Sequence, residues 1–507
     1  MTDAGQVLPR LGRAAIVAAV VVGIPLRFVT SSHLWLDEAL SVDIARLPIG
    51  DIPDALRHDG HPPLYYVALH LWMSVFGEGD TAVRAFSGIF GVGALALAWW
   101  AGRRIAGAAG GWWALGIFAV CPFLIRYSTE TRMYALVTFL VLVGWLVVQR
   151  ALERPTLARL APITLVAGLL LLTHYWALWL LGATVLVLGW HARRPGPARR
   201  VLVAVICGGV LLVPWLPVML DQSAHTGTPW ASAVRPTTMV AISLQDLGGG
   251  GFGEAVLLGI SLLILFLVGL MGRRADDHTI AIDVRTVPGM RAEAAIVALT
   301  LAIATVVGYA THTTFASRYV AAIVPLFLLL AALGAVQLPG RAAPLLVLAG
   351  VLVLGGVGSV HNVVTDRTQA GEIGASIRAS AQPGDVVVIC PDQLGPSMHR
   401  VVPGDLTQLT FPPSDIAPDR VEWRDYAERN AAADPHAFAS SVVSAASDAH
   451  NVWVIYDDSY KTLEGQCGLL LNDLTSTLGG AQVVVDDDTG TFEHAGLVRL
   501  AGPKSSP

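Results

Sequence analysis

The sequence predicts a polytopic α-helical membrane protein that carries a small α/β domain at its C-terminal end, outside the cytoplasm. Three observations lead there. Of 507 residues, 54% are hydrophobic and only 14% are charged, a balance too apolar for a soluble globular chain. Apolar stretches near the length of a membrane span recur from Leu11 to Val360. From about Asp366 the pattern changes to short Val/Ile-rich runs alternating with helical segments. The formal net charge of −5 comes with no concentrated basic region, which excludes a nucleic-acid partner.

A span needs about 20 mostly apolar residues. The candidates number about eleven: Leu11–Val29, Arg84–Gly102, Gly110–Ile125, Tyr134–Val148, Leu160–Thr173, Trp176–Trp190, Val201–Leu220, Ala255–Gly272, Ala292–Ala310, Tyr319–Leu338 and Ala342–Val360. The first has Arg10 and Arg13 ahead of its apolar run, like a signal peptide. No small-x-small cleavage site follows, so it is read as an anchor. Leu64–Gly77 is left out. As a helix its 14 residues would rise about 21 Å, short of a hydrocarbon core of about 30 Å.

Charge supports that choice. With Arg10 and Arg13 inside, the connections holding Arg103/Arg104, Arg150/Arg154/Arg159, Arg193/Arg194/Arg199/Arg200, Arg273/Arg274/Arg285/Arg291 and Arg341 all fall inside, as the positive-inside rule requires. Counting Leu64–Gly77 as a span would reverse every later cluster. It is expected to lie in the membrane interface instead. The expected domains are then 1–361, a transmembrane part with a first outer loop at 31–83, and 362–507, an extracytoplasmic α/β part.

Within that last part, Thr368–Ala381 reads as a helix and Asp385–Cys390 as a buried strand after Pro-Gly. Helical stretches over Arg420–Ala446 break near Pro435. Asn451–Tyr456 is a strand, Leu463–Leu478 a helix, and Gln482–Val485 and Leu497–Leu500 are strands. No Gly-rich phosphate loop follows any of them, so this part is read as a lid or acceptor-docking module without catalysis. Cys121 and Cys207 fall in apolar spans as small hydrophobes. Cys390 and Cys467 can pair if their surroundings are oxidising.

The polar stretch Trp35–Tyr66, WLDEALSVDIARLPIGDIPDALRHDGHPPLYY, stands out among the greasy helices. It opens with Asp37-Glu38 and continues to His61-Pro62-Pro63. The acids either do chemistry or simply start a helix, where acids are favoured. On a helix they diverge by about 100°, so they need not act together. The second outer loop offers Arg126, Tyr127, Glu130, Arg132 and Tyr134. Arg126, Glu130 and Tyr134 are spaced i, i+4, i+8, which would put them on one helical face; an ion pair beside an interfacial tyrosine is the plain alternative. In a third loop, His312 to Tyr319, Arg318-Tyr319 opens a span, and a snorkelling arginine with a belt tyrosine explains it equally well. His174 at a span end has core packing as its alternative. No His/Cys/Glu spacing has the specificity of a zinc site. No cofactor is assigned, and a divalent cation on Asp37 and Glu38 is left open.

Together, Trp35-Leu36-Asp37-Glu38, His61-Pro62-Pro63-Leu64-Tyr65-Tyr66, Arg126 to Tyr134 and Arg318-Tyr319 resemble the GT-C glycosyltransferases. The nearest types are the protein O-mannosyltransferase, aminoarabinose-transferase and Rgt-like group, glycosyltransferase family 39. The resemblance covers roughly residues 10 to 340. It implies an inverting transferase that moves a sugar, of mannosyl type, from a polyprenyl phosphate on the outer face to a glycan, lipid or protein acceptor. Asp37 would be the general base, and His61 with the loop arginines would hold the donor phosphate. The C-terminal part departs from the family's common appendages, so it does not indicate the acceptor. An arabinofuranosyl donor competes with mannose within this class. A lipid-linked sugar transporter is the other class, but transporters place ionisable residues at the midplane of repeated halves. Here they gather on one side and no repeat is visible.

Overall fold

The structure, a computed structural model, describes residues 8–227, 234–251, 253–311 and 313–503. Two compact units divide the chain. One comprises Met1–Thr30, Thr81–Leu216 and Ala233–Val364; the other comprises Ser31–Asp80, Pro217–Ser232 and Thr365–Pro507.

The first unit is helical. Among the described residues, six helical stretches are long and apolar enough to cross a membrane: Asp80–Val120, Tyr134–Glu153, Ala198–His225, Gly253–Met271, Arg291–Thr311 and Ala342–Val364. The other expected spans are shorter helices. Leu157–Thr173, Trp176–His191 and Val324–Val336 keep their expected places, and the first is only Arg10–Gly23 followed by a 3-10 turn at Pro25–Arg27. Prolines account for two of these truncations. Pro25 opens the 3-10 turn and Pro325 sits in the first turn of its helix, where a missing N–H and a fixed φ are tolerated. The 41-residue run Asp80–Val120 is really two helices. Ala106 (φ −143°) and Gly107 (φ 60°) leave helical geometry, at the turn expected beside Arg103/Arg104. Gly107 supplies the positive φ at no Cβ cost. Close packing elsewhere depends on small residues: a Cβ on Gly334 would sit 1.8 Å from the Leu265 carbonyl oxygen, so these helices cross at backbone contact.

The second unit holds the first polar loop and the C-terminal segment. Its sheet has five strands in the spatial order Thr407–Thr410, Val386–Cys390, Asn451–Tyr456, Gly496–Ala501, Gln482–Val485. Val386–Cys390 runs parallel to both neighbours, and Gly496–Ala501 runs antiparallel to both of its own. Val386–Cys390 is apolar and buried at every position, as suits a strand covered on both faces. Val387, Ile389, Trp453 and Ile455 pack toward the helix Ala370–Ser380. Val386, Val388, Val452 and Val454 pack toward the helices Pro435–Ala445 and Gln466–Leu478. Cys390 and Cys467 are disulfide-bonded across that second layer. Cys121 is buried as expected, but Cys207 is exposed.

The loop 31–83, expected to belong with the transmembrane part, is compact with the C-terminal segment up to Asp80. Polar contacts explain this. His58 Nδ1 lies 2.6 Å from Glu422 Oε2, Trp423 N–H donates to the His58 carbonyl at 3.2 Å, and Arg367 N–H donates to Ser32 Oγ at 2.9 Å. The helix Leu64–Phe76 buries Tyr65, Tyr66, Leu69 and Met73 and exposes Leu71, Val75 and Phe76. An apolar face left open in this way suits the membrane interface.

Candidate functional site

The candidate residues fall into two sets, one in each unit. In the second unit, the helix Leu36–Arg46 begins at the candidate acids. Glu38 is fully buried, with its Oε2 4.0 Å from Arg367 Nη1, whereas Asp37 is only half-buried. Their divergence follows from the helical turn between them. It leaves Asp37 the one of the two with exposed surface. It also argues against a divalent ion held by the pair, since one of the two ligands faces a guanidinium in the interior.

A further carboxyl, Glu493, accepts the Leu36 N–H at 2.8 Å. Burial pushes its pKa up to about 8, and the Asp37 charge adds to the rise. Burial also raises the Tyr460 phenol, with Asp37 the largest charge acting on it. His61 is held by a different acid: its Nδ1 lies 2.7 Å from Asp59 Oδ2, which also accepts the Tyr66 hydroxyl at 2.8 Å. Gln222 donates to the His61 carbonyl at 3.1 Å.

In the first unit, three loops far apart in sequence converge. The helix Pro122–Ser128 ends before Glu130 and a new helix starts at Tyr134, so the expected single helical face is interrupted. The Arg126–Glu130 pair survives at 3.2 Å because one turn leads into the bend. Glu130, Arg132 and Tyr134 are buried. The Tyr127 hydroxyl donates to Asp246 at 3.0 Å, and burial, then the Asp246 charge, raises its pKa. A chain of rings links the loops: Tyr127 to Tyr134 at 5.1 Å, Tyr134 to His174 at 5.6 Å and His174 to Tyr319 at 5.4 Å. Arg318 lies over the Tyr319 ring at 5.9 Å and close enough to Arg126 for their charges to interact. His312 lies outside the described residues. Arg27, inside the first expected span, is spent on structure, since its guanidinium donates to the carbonyls of Gly23, Phe118 and Ala119.

Arg367, Asp246, Glu493 and Tyr460 were not read from the sequence, because their partners are hundreds of residues away or across separate loops. Asp59 could have been found, standing two residues before His61. Among the described residues, one group of three has metal-type ligand atoms within 4.8 Å of one another, Asp457, Asp487 and His494. His494 already bonds Asp487 at 2.6 Å, and Asp457 accepts from Ser459, so the group reads as a hydrogen-bonded cluster.

A family model described as dolichyl-phosphate-mannose-protein mannosyltransferase matches residues 60–220. No curated protein matches the chain. Among solved structures, ArnT from Cupriavidus metallidurans in the apo state superposes with a TM-score of 0.63 at 15% identity, over 97% of this chain and 98% of that one. The chain has the GT-C glycosyltransferase fold. The same ArnT bound to undecaprenyl phosphate gives a TM-score of 0.59 at 14% identity, over 98% of each chain. The Archaeoglobus fulgidus oligosaccharyltransferase, in complex with Zn and sulfate, gives 0.50 at 12% identity, over 95% of this chain and 72% of that one. The GT-C frame includes the C-terminal sheet, which the sequence resemblance did not cover.

Proposed function

We propose that this protein is an inverting membrane glycosyltransferase that moves a sugar, of mannosyl type, from a polyprenyl-phosphate donor to a hydroxyl on a cell-envelope glycan, lipid or protein. The observation that carries the proposal is the split of the acid pair on a GT-C fold, with Asp37 half-buried and Glu38 fully buried beside Arg367. Asp37 takes the proton of the acceptor hydroxyl as its oxygen attacks the anomeric carbon. The bond from that carbon to the phosphate oxygen breaks, and the lipid phosphate leaves with the bonding pair. His61, Arg126, Arg132 and Arg318 are assigned to the donor phosphate, and Tyr127, Glu130, Tyr134, His174 and Tyr319 to the substrate around it. Residues 1–361 are assigned the transfer chemistry and 362–507 the outer α/β domain.

The mannosyl donor is favoured by the family description matched over residues 60–220, and the lipid carrier by the likeness to ArnT bound to undecaprenyl phosphate. The extracytoplasmic side is favoured by the arginine bias of the connections and by the Cys390–Cys467 disulfide, which belongs in an oxidising compartment. A second reading keeps the fold and the lipid carrier but has arabinofuranose or another non-mannose sugar as the donor. The deciding experiment offers the purified protein in lipid radiolabelled polyprenyl-phosphate mannose and a cell-envelope extract, with Asp37→Asn alongside. Transfer abolished only in the variant is expected. A folded wild type that transfers neither mannose nor the other polyprenyl-phosphate sugars would shift the assignment to a transporter.

A further inference from the structure

The helix that carries Asp37 starts without a local cap. Trp35 occupies the N-cap position with extended backbone (φ −85°, ψ 172°), and no side chain caps from there. The first amides of a largely buried helix need acceptors from somewhere. Glu493, 457 residues further along, supplies one at Leu36, at 2.8 Å. Its own placement is firm. Its N–H donates to the Arg367 carbonyl at 2.9 Å, and its carbonyl accepts from Gln369 N–H at 3.1 Å. The side chains of Thr368 and Ser397 lie near enough to its carboxyl to pull its pKa down against the burial.

The residues flanking Asp37 are gripped by the same segments. The ring of Trp35 meets Phe492 edge-on at 5.1 Å, Leu36 is held by Glu493, and Glu38 lies 4.0 Å from Arg367. Asp37 sits between residues that are fixed on both sides.

We propose that Glu493 is a positioning residue for Asp37: by accepting the Leu36 amide it sets the first turn of the helix, and so the direction of the Asp37 carboxylate. This rests on Asp37 being the base. It makes the C-terminal segment a working part of the reaction rather than a lid. The role needs a hydrogen-bond acceptor at the right reach, a property that glutamine keeps, aspartate shortens and alanine removes.

The test uses the full-length protein in lipid with radiolabelled polyprenyl-phosphate mannose, or arabinofuranose if that is the sugar the wild type turns over. A misplacement near 1 Å costs up to about 100-fold, so Glu493→Ala is expected to lower kcat about 30-fold with the donor KM within about threefold. Glu493→Gln should keep at least about a third of kcat, and Glu493→Asp should fall about tenfold at unchanged KM. The order Gln above Asp above Ala supports the role, and Gln with Asp alone decide it if the alanine variant does not fold. A kcat for Glu493→Asp equal to wild type, or a loss in Glu493→Gln as large as in Glu493→Ala, overturns it. Turnover surviving in Asp37→Asn overturns the base assignment itself, which is a separate result. Independently of any donor, hydrogen exchange over residues 36–38 should speed up in Glu493→Ala and stay slow in Glu493→Gln; unchanged exchange in both overturns the cap.

Discussion

Two buried acids, Glu130 in the helical unit and Glu493 in the second, are satisfied in opposite ways. In the helical unit an acid meets a base within hydrogen-bond distance, as Arg126 does with Glu130 at 3.2 Å, so charge is cancelled by charge. In the second unit the buried Glu493 is held by an amide, and its pKa of about 8 keeps it protonated at neutral pH. The difference is one of purpose. A balanced ion pair fixes geometry for a bound ligand, while acids kept near their protonation point suit a region where a proton is exchanged.

The strongest break in this contrast would come at Asp37. Asp37→Asn should cut turnover about 1,000-fold, within the range of general-base loss, with the thermal unfolding midpoint little changed; retained turnover would end the catalytic reading of the second unit. Next comes that unit's frame. Replacing Cys390 and Cys467 together by serine should cost about 2–5 kcal/mol of stability, read as a lower unfolding midpoint without reductant.

The pH response of the second unit sharpens the comparison further. Burial raises the Asp43 pKa to about 7, against the pull of Arg46. An unfolded aspartate titrates near 4, so the folded chain keeps a proton that the unfolded chain releases. Stability therefore falls as pH rises from about 4 through 7, by about 4 kcal/mol, and is flat above. Asp43→Asn should remove that slope in a melting series; a slope that persists would sink the assignment to Asp43. The smallest effect belongs to the helical unit. Arg126→Met should raise the donor KM about tenfold and strand the buried Glu130. Adding Glu130→Gln should restore the melting temperature but not the KM, and recovery of both would mean that Arg126 serves only its ion pair.

What the sequence made legible was whatever repeats locally. The runs NVWVIY and QVVV announced strands at Asn451–Tyr456 and Gln482–Val485, with those bounds in the structure. Apolar length located helices near the expected spans, although among the described residues six stretches are long and apolar enough to cross a membrane and the rest are shorter. The edge strand Thr407–Thr410 went unread because TQLT is polar and only half-buried. The bend after Ser128 went unread because nothing in STETR forbids a helix. The candidate acids and arginines were visible as local clusters. Their partners were not, since a hydrogen bond between Leu36 and Glu493 leaves no trace in either neighbourhood.

That long-range bond has a consequence for how the protein is made. The segment bearing Asp37 leaves the ribosome early, and Glu493 follows 457 residues later, roughly 20 to 90 seconds at 5–20 residues per second. During that interval the helices are already threading into the bilayer while the start of the Asp37 helix waits for its acceptor. A nascent or prematurely terminated chain would thus be inserted yet idle, and competence would arrive only with the final strand.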